Sequence, residues 1–488
     1  MNKRILAVIV TAVLSLKAYS QHRSITWEQF NLANTGLRNI GLVTSRPASE
    51  VKQSNWSIGC ETLDRDYATF DNYKKHVGEL GAHYARIQSG WAKCEQTKGR
   101  YEFNWLDKIV DGLLEMKVQP WMVLCYGNPI YGANENLGAR IFTDEPTMNG
   151  WLAYVRATVK RYKSKVTEWE IWNEPNLGDN SNFAASYANL LMKTVKVIKE
   201  EQPNAIIIGL ALSGTPHNFA REVFEVLKKN KQETILDYLS FHPYVPNPDE
   251  ANADIDSLWR LARSYDPKIK LYQGENGCPS ILEWGHALHS YPWTEISQAK
   301  WLLRRMANDW HRQIRSSIFT LVDLQYKNML QSFGLIRTNL LHENIYKRPG
   351  FYAVQHMINI LDQDAEQAGY LEYESFTPRA ISISGIRKGK QTGGMIWFSD
   401  KIPGDNLQWE KIDITIKNLS IANPVYVDII TGKVYELPKH NVKKIGNDLR
   451  LRDLPVWDSP MLLIDKSALN FKPLSTETGN LSETQGIL

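Results

Sequence analysis

The sequence predicts an α/β fold, a (β/α)8 (TIM) barrel followed by a small all-β sandwich, and three observations carry that expectation. From about residue 54, short apolar runs ending in polar or aromatic residues alternate with amphipathic stretches, the pattern of parallel strands joined by crossover helices. Eight such units occupy roughly 300 residues, the size of a barrel with a few long loops. After about residue 365 the hydrophobic period changes from helical to alternating.

In chain order the expected strands are Trp56 to Cys60, Tyr84 to Gln88, Gln119 to Leu124, Val166 to Ile171, Ala205 to Leu210, Tyr238 to Phe241, Ile269 to Gly274 and Ser317 to Val322. The helices that follow them are Phe70 to Leu80, Leu106 to Met116, Asn149 to Tyr162, Phe183 to Glu201, Asn218 to Lys229, Ala253 to Ser264, Glu295 to Ile314 and Tyr352 to Leu361. A doubly wound sheet would need a glycine-rich first turn opening onto a helix, and Gly59-Cys60-Glu61-Thr62 is not one. Strands at Ala380 to Ile386, Gly394 to Phe398, Ile412 to Ile416, Val425 to Ile430 and Met461 to Ile464 build the second domain, with a hairpin turn at Thr431-Gly432-Lys433. The organisation expected is a signal peptide over 1–20, a lead-in over 21–53, a barrel over 54–362, a β-sandwich over 366–470 and a disordered polar tail over 471–488.

The N-terminus has the parts of an export signal. Lys3 and Arg4 form a basic start, Ile5 to Leu16 a short apolar stretch, and Ala18-Tyr19-Ser20 a small-x-small cleavage site before Gln21. The apolar run is too short to span a bilayer, so a protein exported to a periplasm or beyond is expected. Removing Lys3, Arg4 and Lys17, with no acid beside them, takes the net charge from +4 to +1. A near-neutral chain offers no electrostatic footprint for nucleic acid or an anionic membrane. The four cysteines (Cys60, Cys94, Cys125, Cys278) fit no zinc spacing; export permits disulfides, and reduced, partly buried thiols or at most one bridge are expected. No metal site or cofactor motif is read. The 16 Trp and 22 Tyr are core material that also suits the flat faces of sugars.

Two acidic residues stand where a barrel keeps its chemistry, at the C-terminal ends of strands. Glu174 lies in Trp172-Asn173-Glu174-Pro175-Asn176 after the fourth strand, and Pro175, lacking an N–H, stops the ladder there. Glu275 ends the seventh strand in Gln273-Gly274-Glu275-Asn276-Gly277, where the two glycines would let backbone approach a substrate. Two carboxyl groups flanking one bond are what glycoside hydrolysis requires. The bland alternative for each is a strand-end acid paired with a neighbour.

The arrangement resembles the clan A glycoside hydrolases, in which an Asn-Glu pair ends strand four and a second Glu ends strand seven. The resemblance implies that Glu174 is the general acid/base, Glu275 the nucleophile and Asn173 a ligand of the sugar 2-hydroxyl. It extends to Ser240-Phe241-His242-Pro243-Tyr244, similar to the clan's His-x-Tyr element, whose hydroxyl bonds the nucleophile, and to Arg86, which pairs with it. Gly90-Trp91 and Gly99-Arg100-Tyr101-Glu102-Phe103-Asn104-Trp105-Leu106-Asp107 resemble family 39, whose relatives include β-xylosidases and α-L-iduronidases. The resemblance implies a retaining hydrolase acting on a β-linked polysaccharide or oligosaccharide. A xyloside, glucan or galactan, endo or exo attack, and water or sugar as acceptor all fit these residues. His242 is expected to bind sugar or to pack. Trp91, Tyr126, Asn128 and Trp284 are expected on loops at the mouth as subsite walls, with Glu61, Asp64 and Asp323 as further candidates for sugar contact. The eighth strand departs from the clan pattern, with Leu321-Val322-Asp323-Leu324 in place of a tryptophan. The rival class is a non-catalytic carbohydrate-binding protein on a degenerate barrel. In the second domain Trp397, Trp409 and Trp457 are expected to be core, the domain bracing the barrel.

Overall fold

The computed structural model describes residues 27–31, 35–51, 54–178, 183–362, 364–406 and 409–474; the expected signal peptide lies outside them. Eight parallel strands close into a barrel: β1 Trp56–Gly59, β2 Tyr84–Gln88, β3 Gln119–Leu124, β4 Glu168–Ile171, β5 Ile206–Ser213, β6 Tyr238–His242, β7 Lys270–Asn276 and β8 Arg315–Ile318. Around it run α1 Phe70–Leu80, α2 Asn104–Glu115, α3 Glu145–Tyr162, α4 Ala184–Glu201, α5 His217–Lys229, α6 Asn252–Arg263, α7 Glu295–His311 and α8 Pro349–Ile360. The helix ends follow local chemistry. Asp144 caps α3 by accepting from Thr147 N with Pro146 in the first turn, Thr294 and Ser297 form a reciprocal capping box on α7, and Gly81 ends α1 at φ 89°.

Alternation along the strands fills the barrel in layers. At the lower end Arg315 pairs with Glu168 at 2.6 Å and lies over the rings of Tyr84, Tyr238 and Tyr272. Above it Trp121 and Tyr272 stack with centroids 4.2 Å apart. Arg86 lies over the other side of Trp121, its guanidinium 5.4 Å from the ring, and opens the polar layer at the C-terminal end.

The eighth strand ends earlier than its apolar run suggests, at Ile318 rather than Val322. The chain leaves the barrel wall at Phe319, and Leu321 and Val322 are buried in the loop packing above it, which hydrophobicity does not distinguish from a strand.

The second region is antiparallel, an eight-stranded and a four-stranded sheet. The lead-in is part of it: Arg38–Val43 pairs with Lys433–Glu436 on one side and Phe471–Pro473 on the other. The tail expected to be disordered from 471 therefore begins as an edge strand, because three residues suffice to complete a neighbour's ladder without any periodicity of their own; residues 475–488 lie outside the described residues. All four cysteines are free and buried. Among the described residues no helix is long and apolar enough to cross a membrane.

Candidate active site

The polar layer is built by strand ends that are bent on purpose. Trp172 and Glu174, after β4, sit at φ 69° and 49°, a region that side chains occupy only when their surroundings hold them there. The holding group is in β5, which bulges: Leu210 and Ala211 also have positive φ, and the register against β6 slips between Gly209 and Leu212. Glu174 N donates to Ala211 O at 2.8 Å, while Ala211 N donates to Ser240 Oγ at 3.0 Å and Leu210 N to Tyr187 Oη at 2.7 Å. The acid thus stands on β4 and is aimed by the bulge of β5.

Seven of the residues singled out from the sequence converge. Arg86 Nη1 donates to Glu275 Oε1 at 2.5 Å, and Nη2 to Asn173 Oδ1 at 2.6 Å. Tyr244 Oη donates to Glu275 Oε2 at 3.0 Å. Asn173 Nδ2 donates to Tyr126 Oη at 2.9 Å, which leaves its second amide hydrogen for another acceptor. His242 Nδ1 lies 3.1 Å from Glu174 Oε1 and 3.8 Å from Glu275 Oε2, and one oxygen of each carboxylate comes within 4.8 Å of the other. Solvent barely reaches the pair, at 6 % and 7 % exposure, and does not reach Arg86.

Two acids complete the cluster. Glu170 accepts from Arg86 Nε at 2.9 Å and Nη2 at 2.6 Å, and from the Ser240 hydroxyl. Glu61, one of the weaker sugar-contact candidates, lies 3.0 Å from Arg86 Nη1 and is buried. Glu170 was open to detection: Glu168-Trp169-Glu170 at period two puts both acids inside the barrel, where each needs a counter-charge.

Burial alone would raise the Glu275 carboxyl, but the charges of His242 and Arg86, with hydrogen bonds from Glu61 and Tyr244, outweigh it and hold it at about 2. It is therefore ionised at any working pH. The glycines flanking it serve the protein itself rather than a close approach of substrate: a Cβ on Gly274 would stand 2.7 Å from His242 Nε2, and one on Gly277 2.3 Å from Phe319 O.

The expected subsite walls divide. Tyr126 is at the site, beside a cavity of about 310 Å3 that Asp64, Arg65, Tyr67 and Lys327 also line. Trp91 borders the same cavity, but its side chain is fully buried, ringed by Tyr131 and Phe142 of the loop after β3 and by Trp151 and Tyr154 of α3, and its Nε1 donates to Glu95 at 2.6 Å, so its ring is core. Asn128 is also buried, turning its own loop by accepting from Ile130 N and tying it to the loop after β2 by donating to Glu95 O. Trp284 is 92 % exposed on the loop after β7. Asp323 pairs with Arg348 at 2.6 Å and accepts from Gly334 N, so it fastens a loop. With the eighth strand ending at Ile318, the residue that follows it is an aromatic, Phe319, whose ring lies 6.5 Å from that of Tyr244 and 5.8 Å from that of Phe333.

Residues 56–258 match the sequence model of glycosyl hydrolases family 39. The structure resembles a family 39 glycoside hydrolase from the gut symbiont Bacteroides cellulosilyticus WH2, with a TM-score of 0.62 at 17% identity over 86% of this chain and 81% of that one. It also resembles a monomeric β-xylosidase from Caulobacter crescentus CB15, with a TM-score of 0.56 at 16% identity over 90% and 100% of the two chains. A family 30 endoxylanase from Clostridium papyrosolvens C71 follows, with a TM-score of 0.53 at 11% identity over 88% and 100%. At these identities the structural likenesses speak for the shared fold, and the family match speaks for glycoside hydrolysis.

Proposed function

We propose that this glycoside hydrolase cleaves a β-linked glycan with retention of configuration, Glu275 acting as nucleophile and Glu174 as general acid/base. The observation that supports this reading best is the approach of the two carboxylates to within 4.8 Å. Retaining enzymes hold their pair roughly 5–5.5 Å apart, whereas inverting enzymes leave roughly 6.5–9.5 Å for a water molecule.

In the first step Glu275 attacks the anomeric carbon while Glu174 gives its proton to the leaving oxygen, and the C1–O bond breaks with its electron pair going to that oxygen. Arg86 and Tyr244 keep the nucleophile ionised and fix both of its oxygens. In the second step Glu174, now a carboxylate, takes a proton from water as that water attacks C1 and displaces Glu275. Asn173, clamped between Arg86 and Tyr126, has the free amide hydrogen to bond the sugar 2-hydroxyl, a contact that strengthens in the transition state. Xylosides and xylan are the first substrates to try, since the fold relatives include a β-xylosidase and an endoxylanase.

The test is reducing-sugar release from a panel of β-glycans and aryl glycosides, with proton NMR of the first-formed anomer. Retention in the wild type and no release by Glu275→Ala is the expected result; a first product of inverted configuration would overturn the reading. The N-terminal signature supports export as a further proposal, and a mature protein beginning elsewhere than Gln21 would count against the cleavage site.

A further inference from the structure

Three carboxyl groups share one buried guanidinium, and they are not equally provided for. Glu170 takes two N–H groups of Arg86 and the Ser240 hydroxyl. Glu275 takes Arg86 Nη1 and the Tyr244 hydroxyl. Glu61 has only the shared Nη1, 3.0 Å from its Oε2, and its Oε1 meets no N–H or O–H donor among the described residues. Arg86 is the one cation in contact with all three, His242 reaching only Glu275 among them, and a single guanidinium does not offset three buried negative charges, so the least compensated acid keeps its proton. Glu61 Oε2 and Glu275 Oε1 converge on the same Arg86 nitrogen, at 3.0 Å and 2.5 Å, and two carboxyl oxygens brought together in this way bond each other only when one of them is protonated.

We propose that Glu61 is a positioning residue that carries a proton in the resting enzyme and donates it as a hydrogen bond to Glu275. The inference rests on Glu275 being the nucleophile. Burial pushes Glu61 well above the usual carboxylate range; Arg86 pulls it down, and the charge of Glu275 pushes it up again. The other titratable groups near Glu61 are Cys60 beside it, Tyr73 on α1, Tyr244 after β6 and Tyr326 after β8, all raised and so uncharged where a carboxyl titrates, with Glu170 and His242 one contact further away.

The hydrogen bond has a use in the second chemical step. As water attacks C1, the bond from C1 to the Glu275 oxygen breaks and its electron pair returns to the carboxylate. The O–H of Glu61 meets that growing charge without giving up its proton, a donor aimed at where charge develops.

Two measurements on the full-length protein test this. Infrared difference spectra at neutral pH, wild type minus Glu61→Gln, should contain the carbonyl band of a protonated carboxyl group; a spectrum with only carboxylate bands would overturn the proposal. The second measurement uses an aryl glycoside with a good leaving group, for which deglycosylation limits kcat and Glu174 is needed ionised, so an alkaline fall in kcat does not come from Glu174. Glu61→Ala should lower kcat about tenfold to a hundredfold, the size of one hydrogen bond to a charged group. Glu61→Gln, a neutral donor of the same shape, should recover most of that loss and lack the alkaline fall. A Gln variant as impaired as Ala, or one that keeps the alkaline fall, would overturn the proposal. Turnover that survives Glu275→Ala would instead defeat the retaining reading, whatever the infrared spectrum shows.

Discussion

Two buried charge clusters in this molecule are built on opposite plans. At the seam between barrel and sandwich, α7 carries three bases, each with its own acid: Lys300 with Asp458 at 2.6 Å, Arg304 with Asp249 at 2.5 Å and Arg305 with Asp309 at 2.7 Å. Arg304 also donates to Ser399 O and Lys401 O of the sandwich, and Trp397 donates to Asp249. At the barrel mouth one guanidinium, Arg86, is shared by Glu61, Glu170 and Glu275, with His242 beside Glu275 alone of the three. The seam is balanced and locks two domains together. The mouth is short of positive charge, and that shortage sets one acid ionised and its neighbour protonated. The two are connected, because the loop after β6 that Arg304 grips through Asn247 and Asp249 carries Tyr244 near its start, which bonds Glu275.

The largest effect should come from the mouth. Glu275→Ala should cost on the order of 10^4-fold or more in kcat, and Glu174→Gln on the order of 10^2- to 10^4-fold, least for aryl leaving groups that need no proton. A Glu275→Ala enzyme within tenfold of wild type would erase the distinction between the clusters. Breaking a buried pair from one side costs about 3–5 kcal/mol of stability, so both Arg86→Met and Arg304→Met should unfold in less urea. Only Arg86→Met should also abolish turnover. Equal losses of kcat in folded Arg304→Met would mean that the sandwich acts on chemistry through Tyr244 rather than only bracing the barrel.

The pH dependence of stability separates the two acids that share Arg86. Glu275, held at about 2, contributes stability that is present above the ordinary carboxylate value of about 4.3 and is lost as pH falls toward 2. Glu61 has the opposite sign. Its proton is bound more tightly in the folded state, so the stability it confers at low pH is lost as pH rises from about 4.3 toward its raised value. In urea titrations, Glu61→Gln should gain on wild type as pH rises through this window; a constant difference would leave Glu61 without the proton assigned to it. The smallest effect belongs to Trp284, which buries almost nothing. Trp284→Ala should leave the unfolding midpoint where it is and raise KM for a long glycan by a few-fold, about 1 kcal/mol of lost stacking. An unchanged KM would remove it from the substrate path.

Much of this site was legible in the chain. Glu174, Glu275, Arg86, Asn173, His242 and Tyr244 each sit at or near the end of an apolar run of strand length, and a barrel brings all such ends to one rim. Trp91 and Asn128 differ from expectation because a loop residue near the rim has no periodicity to say which way it faces, and here Trp91 packs against α3 while Asn128 bonds across to the loop after β2. Glu61 was noticed as an acid after a strand, but its standing depends on Arg86 and Glu275, 25 and 214 residues away.

By itself the sequence determined the barrel, its order and the acids at its rim, because hydrophobic period and strand-end chemistry are local properties of the chain. Only the tertiary structure decided the bulge of β5 that aims Glu174, the enlistment of Arg38–Val43 and Phe471–Pro473 into the sandwich, and the three-to-one charge balance around Arg86. Backbone strain, strand pairing and buried electrostatics depend on what closes in from elsewhere, and those distances exist only once the chain is folded.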